Sequence, residues 1–462
     1  MRRLAPQAVA TLLVAALLAA ACTSTTPPIA SGGAEGTSDV PVSSGSDWPT
    51  YHGDVTRSGH VDGPDPANPV VAWNVKLDGK VYASPLVVSG LVVAATEGGT
   101  LYGLDATTGA VRWHTHLADP TDGGDLPCGN IDPRGITGTP VYDPASGQVF
   151  AVASTTGPKH VLFGVDLKTG EIRSQRDADA PGADPATHLE RGALLVANDT
   201  VYIPYGGNFG DCGQYLGRVV GLPTSGNGAM TAYAVPTTRE AGMWSPPGPS
   251  LLPGGDLLVT TGNGEATGGQ WDSSDSILRL GPDLRQRDGF APAGWAQENS
   301  DDADLGSTGP VLLPGNKRVI AAGKEGAVYL ADVDKLGGVD GQLAKIDDCK
   351  SYGGAAVTPG ANGGAVAFLP CTGGVLQVIV GADDTLKRGW QAGKDANGSP
   401  IVVGTTVWTV KDSALHALDA ATGAERAKVD VGQATRFATP AASGKALFVP
   451  TEAGVTAVAL TP

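Results

Sequence analysis

The stretch from Val92 to Trp113, VVAATEGGTLYGLDATTGAVRW, decides how this chain is read. Apolar runs alternate with glycine-centred turns at Glu97-Gly98-Gly99 and Ala106-Thr107-Thr108-Gly109, a pattern that predicts three antiparallel strands, the last carrying a tryptophan. Just ahead, Val81 to Val87 supplies an inner strand that turns at Ser89-Gly90. The unit is one four-stranded blade. Alone it cannot cover its two apolar faces, so it requires neighbours of the same kind.

Working outward, the unit recurs along the chain. Thr137 to Val141, Val149 to Ala153 and Leu162 to Gly170 form a second copy, and Leu162-Phe163-Gly164-Val165-Asp166 echoes Leu101-Tyr102-Gly103-Leu104-Asp105. A third covers Gly192 to Val235. The fourth uses Leu257 to Thr260 and Ser276 to Leu280, and the fifth Val319 to Ala322 and Ala327 to Ala331. Ala365 to Leu369 with Val375 to Val380, Val407 to Val410 with Leu415 to Gly423, and Ala446 to Val449 with Val455 to Val458 complete eight. Eight copies of about 40 to 60 residues are the signature of a closed repeat array. The predicted fold is all-β: an eight-bladed β-propeller over residues 47–462, built of four-stranded antiparallel blades. Val70 to Val75 precedes the first full blade and is expected to close the ring by completing the last.

Composition agrees with this reading. The 462 residues include 67 glycines and 34 prolines, only 17% are charged, and helical periodicity is confined to the N-terminus. The formal charge is -16, and it becomes -18 once Arg2 and Arg3 leave with the leader described next. So acidic a surface repels phosphate backbones and argues against a nucleic-acid partner.

Residues 1–22 read as a targeting segment. Arg2 and Arg3 make a positive n-region, and Val9 to Leu18 an apolar run too short for an ordinary spanning helix. Ala19-Ala20-Ala21-Cys22 resembles the bacterial lipobox, in which the cysteine is acylated; ordinary secretory cleavage is the alternative. Either way the protein is exported, and with Cys22 acylated it is a membrane-anchored lipoprotein on the extracytoplasmic side. Residues 23–46, rich in Ser, Thr, Gly and Pro, read as a flexible tether.

Four further cysteines, Cys128, Cys212, Cys349 and Cys371, allow three pairings. In a propeller blade the loop entering the inner strand and the loop after the second strand open on the same face. Cys128 precedes an inner strand and Cys212 follows a second strand; Cys349 and Cys371 repeat that arrangement within the sixth unit. Cys128 with Cys212 and Cys349 with Cys371 is therefore the favoured pairing, with zinc binding as the rival. The same face receives the insertions Asp119 to Arg134, Gly206 to Gln214 and Gly262 to Ser274, and the acidic run from Glu298 to Asp304 lies nearby. This loop-rich face is the expected binding surface.

Tyr102-Gly103-Leu104-Asp105-Ala106-Thr107-Thr108-Gly109-Ala110-Val111-Arg112-Trp113 resembles the pyrroloquinoline quinone (PQQ) type propeller repeat, aromatic-x-Leu-Asp-x-x-Thr-Gly-x-x-x-Trp. Physically, the Asp caps the turn, the Gly takes the positive φ it needs, and the Trp docks on the next blade. Proteins with this repeat include quinone dehydrogenases and lipoproteins that carry no cofactor, so fold alone does not choose between them.

One ordered set of residues resembles quinoprotein alcohol dehydrogenases more closely. The resemblance implies Trp244 as the floor under a flat quinone, Asn263 of Thr261-Gly262-Asn263 as a calcium ligand, Asp275 as the base and Lys324 as the contact to the quinone oxygens. Glu190 matches a second calcium ligand only loosely. Asp47-Trp48-Pro49 and Tyr51-x-Gly-Asp54 also resemble the opening of those enzymes. The chain departs from them in Ser274-Asp275-Ser276 around the base, in having no adjacent cysteine pair, and in length.

His52, His60, His114, His116, His160, His188 and His416 show no metal-ligand spacing, and no Gly-x-Ser-x-Gly, phosphate-binding loop or His-Glu-x-x-His motif occurs. Two functions are compatible with these features. One is a membrane-anchored scaffold that binds a protein partner at the loop-rich face, similar to outer-membrane assembly lipoproteins of this fold. The other is a PQQ- and calcium-dependent dehydrogenase of an alcohol or sugar.

Overall fold

The computed structural model describes residues 47–66 and 68–460; the leader, Cys22 and the tether lie outside them. Eight antiparallel sheets follow one another around a ring. Blade 1 comprises Leu86–Val88, Leu91–Ala95, Thr100–Asp105 and Val111–His116. The outermost strand of blade 8 is Val70–Lys76, paired from Val70 with Ala459 to Lys76 with Gly454. The start of the domain therefore closes the ring, as expected.

Three sheets carry an added short strand: His188–Leu189 in blade 3, Gly338–Val339 in blade 4 and His60–Val61 in blade 7. The last two pair parallel, because each comes from a segment arriving from elsewhere in the chain rather than from a hairpin.

The inner strands are apolar runs rather than alternating ones because neighbouring blades cover both of their faces. Val92 to Ala95 and Leu257–Thr261 are buried throughout. The outermost strand of blade 1 alternates, and within it only Trp113 is buried. One hydrophobic cluster joins Val93 and Leu101 of blade 1 to Val149 and Phe163 of blade 2; another joins Val328 and Leu330 of blade 5 to Leu376 and Val378 of blade 6. Each such Val or Leu contributes about 1.5–3 kcal/mol by leaving water.

The repeat motif locks neighbours together. Asp105 Oδ1 accepts from the Thr107 and Thr108 amides at 3.0 and 2.9 Å, and Gly109 has φ +72°. Trp113 Nε1 donates to Leu167 O of blade 2 at 2.8 Å, and its ring lies where a side chain on Gly170 would stand. Trp73 does the same to Ala106 O and Gly109 of blade 1, and Trp390 to Ala420 O and Gly423 of blade 7. The turn glycine thus has two reasons to lack a Cβ: its backbone angle and the incoming indole.

Residues 47–61 run around one end of the ring and touch all eight blades. Trp48 pairs with Val87, Pro49 O accepts from Tyr142, Val55 O from Leu251, Thr56 O from Leu312, Ser58 O from Val357 and Gly59 O from Val402. Arg57 reaches Leu194 O in blade 3, and Tyr51 OH meets Thr439 Oγ1 at the entry to blade 8. The Asp47–Asp54 motif is thus part of a stitch across the whole ring.

Both favoured disulfides are present, with Cα atoms 6.1 Å apart for Cys128–Cys212 and 5.0 Å for Cys349–Cys371. Such bridges belong to an oxidising, extracytoplasmic compartment. Among the described residues no helix is long and apolar enough to cross a membrane.

Candidate functional site

On the loop-rich face a cavity of about 350 Å³ is walled by loops of seven blades. Trp244 enters from the start of blade 4, Asn263 from the loop after that blade's second strand, and Lys324 from the matching loop of blade 5. Three of the residues singled out in the sequence therefore meet. Asp275 and Glu190 do not reach the wall. Asp275 is fully buried behind it, with Oδ1 accepting the Leu305 amide at 3.0 Å, and burial, together with Asp304 and Glu298, raises its pKa well above the carboxylate range. Glu190 is buried against Gly138, and its burial likewise raises its pKa, while its neighbours Leu189 and Arg191 line the cavity.

The carboxylates at the wall are those of Asp302, Asp304 and, from far earlier in the sequence, Asp211, which accepts from Tyr215 OH at 2.6 Å. The acidic run that contains the first two is not a plain linker: Trp295–Asp301 is a short helix, capped by Asp302 in the left-handed region at φ 51°. The chain then doubles back so that Gly306 lies on the backbone of Thr261 and Gly262; a Cβ there would fall 2.4 Å from Gly262 N. Gly262 must also be bare, since its Cβ would stand 2.7 Å from Asp304 Oδ2. The Thr-Gly-Asn glycine thus makes room for an acid 42 residues later.

These groups form one network. Lys324 Nζ lies 2.5 Å from Asp302 Oδ1 and 3.1 Å from Asp304 Oδ1, and Trp244 Nε1 donates to Asp304 Oδ2 at 3.2 Å. Burial pushes the Asp304 carboxyl up to about 6, against the pull of Lys324. Burial lowers the Lys324 pKa, but the two carboxylates outweigh it and the net shift is upward.

Asn263 tests whether a cation fits. With its amide nitrogen toward the acids it donates to Asp304 Oδ2 at 2.9 Å and Asp302 Oδ1 at 3.3 Å. Turned the other way, it would bring three oxygens together, an arrangement that a bound cation would satisfy. Among the described residues no cluster of three or more His, Cys, Asp or Glu is arranged around a metal, so any ion here would rest on this Asn-Asp-Asp set and on its ligand.

Opposite the acids stand two cations that no sequence motif marks. Arg191 is buried, with its guanidinium 5.6 Å from the rings of both Tyr82 and Phe437 and one hydrogen bond to Arg436 O. Arg436 lies 4.9 Å over Phe437. Neither forms an ion pair among the described residues, so both charges remain available to an anion. Glu190-Arg191 was visible in the sequence, but nothing there distinguished Arg191 from a surface charge. Phe437 is 6.2 Å from Trp244 and stacked on Tyr352 at 6.5 Å, giving the cavity flat walls.

Residues 55–208 match the family model described as outer membrane protein assembly factor BamB. Among solved structures, the quinohemoprotein alcohol dehydrogenase from Comamonas testosteroni aligns over 89% of this chain and 80% of its own, at 16% identity and a TM-score of 0.66. A europium-containing methanol dehydrogenase aligns over 90% and 98%, at 14% identity and 0.69. BamB from Moraxella catarrhalis aligns over 85% and 100%, at 16% identity and 0.56. At these identities the likeness is one of fold, the propeller that the sheet order shows. No curated protein sequence matches the chain.

Proposed function

We propose that this propeller binds a planar, polyanionic quinone of the PQQ class together with a cation such as calcium, and acts as a dehydrogenase of an alcohol or sugar. The observation that carries the reading is the composition of one cavity: an indole, three cations and the side chains of Asn263, Asp302 and Asp304 around a space of about 350 Å³. PQQ is flat and carries three carboxylates. Trp244 would take its face, Arg191 and Arg436 its carboxylates, and Lys324 its ring oxygens. Asn263 and Asp304 would hold the cation. When bound, the quinone supplies a two-electron acceptor and the cation polarises its carbonyl.

The protein's own work is positioning and proton transfer. Asp302 is exposed at the cavity mouth beside Lys324 and is the better placed base; Asp275, buried and raised, would serve as a support beneath Leu305. Trp244 Nε1 and Lys324 together fix the rotamer of Asp304.

A second reading, a lipid-anchored scaffold binding a protein partner at the same face, is supported by the match of residues 55–208 to the BamB family model and by the lipobox at Cys22. Titration of the full chain with PQQ and calcium, read by tryptophan fluorescence and calorimetry, separates the two. Saturable, calcium-dependent binding that Trp244→Ala abolishes is the expected result. Absence of binding would discard the dehydrogenase and leave the scaffold.

A further inference from the structure

A second cavity, about 400 Å³, lies beside the first on the same face and shares Tyr352, Arg436 and Phe437 with it. The central cavity sets Arg191, Lys324 and Arg436 among Asp211, Asp302 and Asp304; this one sets Lys411 and Arg436 against Asp412 and Glu452. Lys411 and Asp412 are 3.8 Å apart, too far for a tight pair, and Glu452 lies 3.6 Å from Lys80.

Amides complete the lining. Asn397 donates to Thr372 O at 3.2 Å and Gln433 to Ala434 O at 3.3 Å, which leaves their amide oxygens available to a ligand. The apolar element is a flat wall: the Phe437 and Tyr352 rings are stacked with planes 20° apart. Phe437 sits at φ 65°, a left-handed angle that strains a bulky residue. Strain of this kind persists where the surroundings hold it, and here it places one ring as the partition between two cavities.

Many neutral donors and acceptors, balanced charge and one flat aromatic face together match a ring with polar edges and an apolar C–H face. We infer that the second cavity binds an uncharged polyhydroxylated ligand, a sugar or polyol, against the Phe437–Tyr352 wall, with one hydroxyl directed past Phe437 into the central cavity. The inference deepens the dehydrogenase reading by assigning its substrate class and rests on that reading for the chemistry, though not for the binding.

The test is calorimetry of the full chain with D-glucose, maltotriose and D-sorbitol, with n-butanol and D-glucuronate as apolar and anionic comparisons, each with and without PQQ and calcium. Saturable binding of a neutral polyol is expected. Asn397→Leu combined with Gln433→Leu should weaken it at least about tenfold, one lost hydrogen bond's worth. Both side chains lie outside the hydrophobic clusters, so PQQ titration and the unfolding midpoint should not change. The inference is overturned if no neutral polyol binds, if butanol or glucuronate binds more tightly, or if the double variant binds the polyol as well as the parent does. Polyol binding without PQQ binding would keep this site and discard the dehydrogenase; PQQ binding without polyol binding would do the reverse.

Discussion

Arg57 is the most demanding test of the stitch around the ring. It is fully buried and sits at φ 64°, yet among the described residues no carboxylate contacts it, and its guanidinium serves neutral acceptors. Nε donates to Pro249 O at 3.0 Å, Nη1 to Thr50 Oγ1 at 2.5 Å and Tyr51 O at 3.2 Å, and Nη2 to Leu194 O at 3.0 Å. Arg57→Met keeps most of the volume and the same backbone strain, so it isolates those bonds. It leaves the carbonyls of Tyr51, Leu194 and Pro249 buried and unpaired, at about 1–3 kcal/mol each. Relief from burying a charge offsets part of this, which puts the expected loss at about 3 kcal/mol, a large share of the ~5–15 kcal/mol of a typical domain. Urea unfolding followed by tryptophan fluorescence should show a clearly lower midpoint at unchanged slope. An unchanged midpoint would mean that the segment decorates the ring rather than fastening it.

Two other outcomes follow from local geometry. Burial raises the Glu97 carboxyl from 4.5 to about 7, against the pull of the Gly135 amide and Thr137 hydroxyl. The folded state therefore keeps a proton that the unfolded chain releases, so this contribution is complete below pH 4.5 and is lost by pH 7, amounting to about 3 kcal/mol. Glu97→Gln should gain on the parent in urea midpoint between pH 5 and pH 8; parallel pH profiles would refute the assignment. Gly170→Ala should cost about 2–4 kcal/mol, combining a left-handed backbone at φ +74° with overlap onto the Trp113 ring at 2.8 Å. Gly147→Ala, at φ +70° with open space around it, should cost only about 1 kcal/mol; equal costs at the two sites would show that the indole docking contributes nothing.

Much of the architecture is carried by local pattern. Glycine-centred turns between apolar runs define strands, the Asp-x-x-Thr-Gly turn is complete within five residues, and eight recurrences require a closed array. The extra strand at Val70–Lys76 is legible because an unpaired strand before the first blade has only the last blade to join. The cysteine pairs follow from the same regularity, since the strand order alone decides which face a loop opens on. Trp244, Asn263 and Lys324 were recognisable by their order along the chain, which resembles that of quinoprotein alcohol dehydrogenases.

What the sequence could not decide is the content of the cavity between those positions. Asp275 stood in the order of groups that resembles quinoprotein alcohol dehydrogenases, but the fold buries it behind the cavity wall with Oδ1 on the Leu305 amide. Asp304 takes the wall because Gly262 and Gly306 let two backbones touch, a contact set by the bend after a short helix and not by any periodicity. Arg191, Arg436 and Phe437 come from blades far apart in the chain and gain meaning only when the ring closes. Repeat chemistry is local and therefore written in the sequence; a site on the axis is assembled from seven blades at once, so its charge balance and shape belong to the tertiary structure.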